Sequence, residues 1–388
     1  MNSNILKNDF LLDPEITFLN HGSFGACPKP VFDVYQEWQR ELERRPVDFL
    51  GRRAIPLLAE SREKLAEYLN CDADDLVYFP NPTTAINMVV RNLDLQPGDE
   101  ILTTDHEYGA MDRTWRYYCT KAGARYLQHH VPLPVKTHAE FVENFWANVT
   151  PKTRVIFFSH ITSPTALIFP AEEICRRARE AGILCIVDGA HAPGQIPLDI
   201  SALNADIYTG ACHKWMLAPK GAAFLYARRE VQTWLDPLVI SWGYDSEPGF
   251  GSGKKFIDYH EWQGTRDLAA FLSVPAAIDY QRKQDWGQVR TRCRNLLGVA
   301  QAEIQSLTGL PPICPHPSAW QGQMAAIPLP DNIDGVLLQK HLYDKYHIEI
   351  PHTKWCEQSF LRLSIQGYNT AEDVDMLVKA LNELLLFS

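Results

Sequence analysis

An acid and a lysine that could hold a reactive cofactor stand near the ends of two predicted strands. The apolar run Ile183–Val187 ends at Asp188, and a second apolar segment, Ala205–Tyr208, comes shortly before Lys214. Such short apolar runs predict buried strands, and open α/β sheets bind ligands at the carboxyl ends of their strands. Pyridoxal phosphate requires this pair, because a lysine condenses with its aldehyde and a carboxylate keeps its pyridine nitrogen protonated. Each residue alone has an ordinary interpretation, as a solvated lysine or as an acid that caps a helix.

The segments around these two residues resemble a known family. Asp188 lies in VDGAHAPGQIPLDI and Lys214 in YTGACHKWMLAPKG, and both segments resemble the core signature of the class V aminotransferases, which are pyridoxal phosphate-dependent enzymes of fold type I. The NHGSFG opening, Tyr108 and the QGTRD segment are similar to the isopenicillin N epimerase-like branch. The resemblance runs from about His21 to Thr370. It implies pyridoxal 5'-phosphate as the cofactor, with Lys214 and Asp188 as catalytic residues.

The resemblance also implies cofactor contacts beyond this pair. Thr83 and Thr84 stand where a turn opens a helix, and helix N-termini favour a phosphate; an ordinary N-cap is the alternative. His213 is implied as a second phosphate contact, although Ala211 replaces the serine that many relatives carry. Tyr108 is implied to stack on the cofactor ring, and a half-buried surface tyrosine is the alternative.

Three further segments are implied to reach the cofactor. SHITS resembles the S-H-x-x-N motif, with Ser163 in place of the asparagine that contacts the ring hydroxyl. His191 is implied to pack near the ring or the substrate, and a structural histidine is an equal alternative. Gly264 and Thr265 correspond to the pair that reaches the partner's phosphate across a dimer interface. This implies a homodimer with shared active sites, and a helix N-cap by Thr265 is compatible with it.

The substrate side is implied by two segments. Arg362 lies in LRLS, flanked by strand-forming apolar residues, and its guanidinium suits the two oxygens of a carboxylate. His21 and Ser23 correspond to the N-terminal loop that lines the substrate side. The resemblance therefore predicts that the substrate is an α-amino acid or an amino-acid conjugate.

The residues leave the reaction itself open. Once Lys214 has removed the α-proton, the possible reactions differ in later steps. Epimerisation or racemisation needs a second acid opposite Lys214, a C–S lyase expels a β-substituent, and a transaminase returns the proton to the cofactor carbon; the branch favours an epimerase. A cysteine desulfurase needs a mobile nucleophilic cysteine, whereas Cys356 lies only 6 positions before Arg362 and is better interpreted as incidental. The intact Asp188 and Lys214 argue against an inactive binding protein. A nicotinamide dehydrogenase lacks support, because no G-x-G-x-x-G follows the first strand.

The elements that position these residues alternate along the chain. Leu76–Phe79, Glu100–Thr104 and Val155–Ser159 predict strands, and helical patterns lie between them. This alternation predicts an α/β fold, a three-layer α/β/α large domain with a mainly parallel sheet, and a smaller α+β C-terminal domain. The predicted ranges are 1–54 for an N-terminal segment that contributes to the small domain and the substrate side, 55–267 for the large cofactor-binding domain, and 268–388 for the small domain.

Composition narrows the class of protein. The chain of 388 residues is 46% hydrophobic and 22% charged, as in ordinary globular proteins. Its net charge of −10 argues against nucleic acid or an anionic membrane as a partner, and no apolar run approaches the ~20 residues of a membrane span. The start lacks the features of a signal peptide. The 9 cysteines form no C-x-x-C pair, so we expect neither a metal site nor disulfides, and a cytoplasmic location.

Overall fold

The computed structural model describes residues 4–246 and 251–385. Its strands β1 to β12 are, in chain order, Thr17–Phe18, Leu76–Phe79, Glu100–Thr104, Arg125–His129, Thr153–Ser159, Leu184–Gly189, Ile207–Ala211, Ala223–Ala227, Met324–Pro328, Ile348–Glu349, His352–Trp355 and Gln358–Ser364. Its helices α1 to α18 are Asn4–Lys7, His21–Phe24, Lys29–Arg44, Pro46–Asp48, Ala54–Leu69, Pro82–Arg91, Gly109–Ala122, His138–Trp146, Ala171–Glu180, Ile200–Leu203, Arg229–Gln232, Lys255–Glu261, Ala269–Leu272, Val274–Lys283, Trp286–Thr308, Pro317–Trp320, Gly335–Tyr346 and Ala371–Leu385.

A mainly parallel sheet of seven strands forms the centre of the described chain, in the order β2-β8-β7-β6-β5-β3-β4. The pairs β3–β4, β3–β5, β5–β6 and β6–β7 are parallel. Only β8 runs against its two neighbours. The predicted α/β fold with a mainly parallel sheet is therefore confirmed. Strand β8 was not predicted, because it follows the Lys214 loop without the helix that usually separates strands in such a sheet.

Strands β3, β5, β6 and β7 are largely buried because both faces of the sheet are covered. In β5, Val155 and Phe157 belong to one buried cluster, whereas Ile156 and Phe158 belong to another. Successive side chains of a strand point to opposite faces, so the two clusters lie on opposite sides of the sheet. Polar side chains stand at the carboxyl ends of β5 and β6, where the register pairs Ser159 with Asp188.

Two smaller sheets lie outside the central one. Strands β11, β12 and β9 form an antiparallel sheet, and β1 pairs in parallel with β10. The second pairing joins the N-terminal segment to the C-terminal part of the chain. The three predicted domain ranges remain a prediction, and they include residues 1–3, 247–250 and 386–388, which lie outside the described residues. None of the described helices has the length and apolar character needed to cross a membrane.

Two glycines allow other segments to press against the loop that carries Lys214. Gly25 has a φ of +71°, and a Cβ there would lie 2.2 Å from the carbonyl oxygen of His213. Gly194 has a φ of +87°, and its Cβ would lie 2.2 Å from the carbonyl oxygen of Trp215. Only glycine combines a left-handed φ with so close an approach. The position of the Lys214 loop is therefore set by backbone contacts on two sides.

We expect Gly25→Ala to destabilise the protein by about 1–3 kcal/mol or more, because alanine meets both an unfavourable φ and a backbone oxygen. Gly298→Ala is the matched control. Gly298 lies inside α15, and a Cβ added there would point into open space, so alanine should stabilise the protein by about 0.5–1 kcal/mol. Urea unfolding of both variants measures the difference. Equal stability of Gly25→Ala and the wild type would contradict the close contact.

Candidate active site

A cavity of about 410 Å³ lies at the edge of the central sheet where Ser159 and Asp188 end their strands. The predicted site residues that line it are Ser23, Thr83, Thr84, Tyr108, Ser163, Asp188, His191, His213 and Lys214. Those that lie outside its wall are His21, Gly264, Thr265 and Arg362. Residues from five separate strand ends and from the N-terminal segment therefore meet in one place.

The surroundings of Lys214 lower the pKa of its amine and favour the neutral form. Lys214 lies in the loop between β7 and β8, and its Nζ is 3.1 Å from His191 Nε2. Trp215 Nε1 donates to His191 Nδ1 over 3.2 Å, so the neutral imidazole carries its proton on Nε2 and donates it to the amine. A protonated amine could not accept that bond. Burial, and then the charge of Arg362, lower the pKa of Lys214 to about 7.

Asp188 is the penultimate residue of β6, and its carboxyl group is buried. Its Oδ1 accepts a hydrogen bond of 2.9 Å from the backbone N–H of Ala190. Burial raises the pKa of Asp188, and the bond from Ala190 and the charge of Lys214 act in the opposite direction. A buried carboxylate of this kind is stabilised by a cationic partner. The protonated pyridine nitrogen of pyridoxal phosphate is such a partner, so the residue fits the group.

The phosphate of the cofactor needs an anion site, and the first turn of α6 has the features of one. Thr83 and Thr84 line the cavity, and the Asn81 side chain caps the helix by accepting from the backbone N–H of Thr84 at 2.8 Å. The helix cap is therefore observed, and it is compatible with the predicted phosphate site at the same turn. His213 lies on the same cavity, with Nδ1 2.8 Å from the carbonyl oxygen of Ala222, and burial lowers its pKa to about 4. An adjacent phosphate would raise that pKa.

Arg362 in β12 reaches two residues of the cavity wall. Its Nη2 donates to Ser23 Oγ at 2.8 Å, and its Nη1 donates to the carbonyl oxygen of Ser163 at 2.8 Å. The side chain is 5% exposed, and burial lowers its pKa to about 10. Within the described chain, nothing accepts a hydrogen bond from Arg362 Nε. A buried guanidinium with an unused N–H is suited to binding a carboxylate.

The remaining predicted residues have different surroundings. Tyr108, the N-cap of α7, lines the cavity and is 47% exposed. His21 is fully buried behind the lysine, where Nδ1 lies 3.0 Å from the Tyr368 hydroxyl and Nε2 lies 3.1 Å from the carbonyl oxygen of Lys214. His21 therefore supports the Lys214 loop from outside the cavity. Thr265 is exposed and Gly264 is partly buried, away from this chain's own cavity.

Glu107 is a buried acid beside the cavity that the sequence analysis did not single out. Thr104 Oγ1 and Ser159 Oγ each lie 2.6 Å from its carboxyl oxygens, and Ser159 lines the cavity. Burial raises the pKa of Glu107 to about 8, and the charge of Asp188 adds to the rise. Its position directly before Tyr108 was the available signal. Burial of a charged residue type at a strand end cannot be inferred from one sequence.

Comparisons with known proteins agree with this arrangement. The family model described as aminotransferase class-V matches residues 26–377. An isopenicillin N epimerase of Amycolatopsis lactamdurans is 38% identical over 96% of both chains. A putative L-cysteine desulfhydrase of Oryza sativa subsp. japonica is 29% identical over 95% of this chain and 83% of its own length. The apo structure of a cysteine desulfurase from Thermococcus onnurineus NA1 superposes with a TM-score of 0.85 at 20% identity, covering 99% and 98% of the two chains.

The match of the family model extends over most of the chain, and the epimerase relative covers nearly all of it. The structural likeness shows the same fold independently of close sequence identity. The sequence-based assignment of the family, the fold and the cofactor is thereby confirmed. The chain belongs to the class V aminotransferase family and is a pyridoxal phosphate-dependent enzyme of fold type I.

Proposed function

We propose that this enzyme inverts the α-carbon of an amino acid or an amino-acid conjugate, as an epimerase or racemase of the isopenicillin N epimerase type. The observation that carries the proposal is the neutral amine of Lys214, placed by His191 in a cavity with Asp188 on its wall. The sequence identity of 38% to an isopenicillin N epimerase supports this reaction over C–S lyase chemistry and transamination.

In this proposal Lys214 is the base and Asp188 and the cavity wall hold the cofactor. The cofactor, when bound, supplies an electron sink for the pair left on the α-carbon. Lys214 Nζ would take the α-proton from one face, and inversion requires an acid on the opposite face to return a proton there. Asp188 would hold the ring nitrogen, and Thr83, Thr84 and His213 would bind the phosphate. Tyr108 would hold the ring as an aromatic partner.

Further contacts to the cofactor belong to the same proposal. Ser163 and His191 line the cavity beside the residues already named. His191 also orients the lone pair of the Lys214 amine, because it donates a hydrogen bond to Nζ. Ser163 also holds Arg362 in place, because its carbonyl oxygen and its hydroxyl both accept hydrogen bonds from the guanidinium.

Arg362 binds the substrate carboxylate in this proposal. Hydrogen bonds from Nη1 to Ser163 and from Nη2 to Ser23 fix the plane of the guanidinium. The N–H of Nε has no partner in the described chain and is the donor for the substrate carboxylate. A substrate held at both its amino and its carboxylate end presents its α-proton in one orientation. His21 supports the Lys214 loop from outside the cavity, through its contact with the carbonyl oxygen of Lys214.

A C–S lyase acting on cysteine derivatives is the second candidate, because a putative L-cysteine desulfhydrase is similar over most of the chain. A desulfurase is less well supported. No cysteine is among the described residues that line the cavity, whereas that reaction needs a cysteine nucleophile at the substrate.

We also propose that the enzyme is a homodimer with shared active sites. Phe24 lines the cavity and is 73% exposed. Ile240, which does not line the cavity, is 66% exposed. Exposed apolar side chains favour an interface, and Phe24 places one beside the site. Gly264 and Thr265, which lie away from this chain's own cavity, would then reach the cavity of the partner.

The reaction is tested by incubating the holoenzyme in D₂O with isopenicillin N and with a panel of L- and D-amino acids that includes cysteine. We expect α-deuterium incorporation together with formation of the opposite configuration, from either starting isomer. Lys214→Ala should bind the cofactor without a covalent link and show no exchange. Pyruvate and sulfide formed from cysteine without inversion would establish the lyase instead, and stoichiometric 2-oxo acid would establish a transaminase.

The lowered pKa of Lys214 predicts a pH dependence of cofactor uptake by the apoenzyme. Only the neutral amine attacks the aldehyde, so the rate of covalent attachment should rise up to tenfold per pH unit below about 7 and level off above it. Arg362→Gln removes a like charge and should move this midpoint to higher pH. Arg362→Lys retains the charge and should leave the midpoint near 7. Stopped-flow absorbance measures the rates, and an unmoved midpoint in Arg362→Gln would contradict the coupling.

Dimerisation is tested by light scattering of the purified holoenzyme. We expect a mass twice that of one chain, and partial dissociation in Ile240→Asp, because a charge in an apolar interface is costly. Val336→Asp is the control, since Val336 is 65% exposed but lies on α17. A monomeric wild-type enzyme with full activity would exclude shared active sites.

A further inference from the structure

Three side chains with metal-binding chemistry meet at a place outside the cavity. Asp105, His130 and Cys356 each offer one ligand atom, and these atoms lie within 4.8 Å of one another. The residues come from three segments that are far apart in the sequence. The sequence therefore contains no spacing motif that indicates this cluster, and the sequence analysis expected no metal site.

Asp105 and His130 are held in place at one edge of the central sheet. Asp105 follows β3, and its Oδ1 accepts from the backbone N–H of Val131 at 3.0 Å. Its Oδ2 lies 2.7 Å from His130 Nδ1, just beyond the end of β4. The carboxylate thus has one oxygen fixed by the backbone and the other directed at the imidazole, where a proton joins the two groups.

Cys356 is brought to this pair by the hairpin between β11 and β12. Trp355, the last residue of β11, stacks on the His130 ring with centroids 5.3 Å apart and planes 12° apart. The indole also stacks on His106, with a centroid distance of 4.6 Å. This stacking fixes both the His130 ring and the turn that follows. Cys356 itself has a φ of +49°, a left-handed conformation that residues other than glycine, asparagine and aspartate seldom adopt.

We propose that Asp105, His130 and Cys356 bind one divalent transition-metal ion. Zinc is the ion that the donor set favours, because an imidazole, a thiolate and a carboxylate are its usual ligands. Three protein ligands leave a fourth position of the tetrahedron for water. When the metal binds His130 Nδ1, the ring proton moves from Nδ1 to Nε2, and the Cys356 thiol loses its proton, so one proton is released per bound ion.

A nucleophilic triad built from the same residues is not favoured. A reactive cysteine needs a lowered thiol pKa, whereas burial and the charges of Asp105 and Glu357 raise the pKa of Cys356. The same negative charges attract a cation. A bound cation reverses the effect on the thiol, because a coordinating thiol loses its proton outright.

The ion would tie two sheets together. Asp105 and His130 belong to the edge of the central sheet, whereas Cys356 belongs to the hairpin whose second strand, β12, carries Arg362. Asp105 also lies three residues before Tyr108 on the cavity wall. Metal binding would therefore limit the movement of the Arg362 strand relative to the cavity. This role is independent of the proposed reaction.

The test is zinc binding to the metal-free holoenzyme, measured by calorimetry and by metal analysis after dialysis. We expect one zinc per chain, and a dissociation constant raised at least about tenfold to a hundredfold in Cys356→Ser and in His130→Ala. The matched controls are Cys71→Ser, at a half-buried cysteine, and His316→Ala, at an exposed histidine. Both controls should bind zinc like the wild type.

X-ray absorption of the zinc-loaded holoenzyme identifies the ligands directly. We expect one sulfur at about 2.3 Å in the wild type and no sulfur in Cys356→Ser. Zinc that binds equally well to Cys356→Ser, or a wild-type spectrum without sulfur, would overturn the proposal. Failure to bind zinc with a micromolar dissociation constant would overturn it as well. Because the measurements do not use turnover, they are independent of the proposed reaction.

Discussion

Removal of one lysine amine from water is the constraint on which the rest of the site depends. In water the amine of Lys214 would be protonated at neutral pH and unable to act as a nucleophile or a base. Burial lowers its pKa to about 7, and the donated hydrogen bond from His191 suits only the neutral form. Trp215 sets the tautomer of that histidine, and Gly25 and Gly194 allow the backbone packing that holds the loop. The fold thus raises the neutral fraction of the Lys214 amine at pH 7.

The same burial raises the pKa of both acids of the site, Asp188 and Glu107. Asp188 and Glu107 lie near each other, and the charge of Asp188 is one cause of the raised pKa of Glu107, about 8. Glu107 is thus mainly a neutral acid at pH 7. Arg362 and the N-terminus of α6 supply positive potential beside it. That potential suits a phosphate and a substrate carboxylate together.

The sequence predicts local elements and motif residues well, and long-range packing poorly. The bounds of β2 and β3 were predicted as they are observed, because β2 is an apolar run closed by turn residues and β3 follows a Pro-Gly-Asp turn. Residues of the recognised motifs came together around one cavity. The contacts of Arg362 with Ser23 and Ser163, by contrast, join positions more than 190 residues apart. No local pattern encodes such contacts, nor the burial of Glu107 or the place of His21 behind the lysine.

The reaction is harder to infer than the cofactor because the cofactor residues serve every reaction of the family, whereas the fate of the α-proton depends on the acid–base groups on the two faces of the substrate. An amine with a pKa of about 7 is protonated and neutral to similar extents at neutral pH. It therefore takes up and returns a proton with comparable ease, the condition under which general acid–base catalysis is most efficient. Inversion also requires an acid on the face opposite Lys214, because a proton returned to its original face restores the starting configuration. In an epimerase each of the two groups acts as a base in one direction and as an acid in the other, and the pKa of Lys214 suits both tasks on its own face.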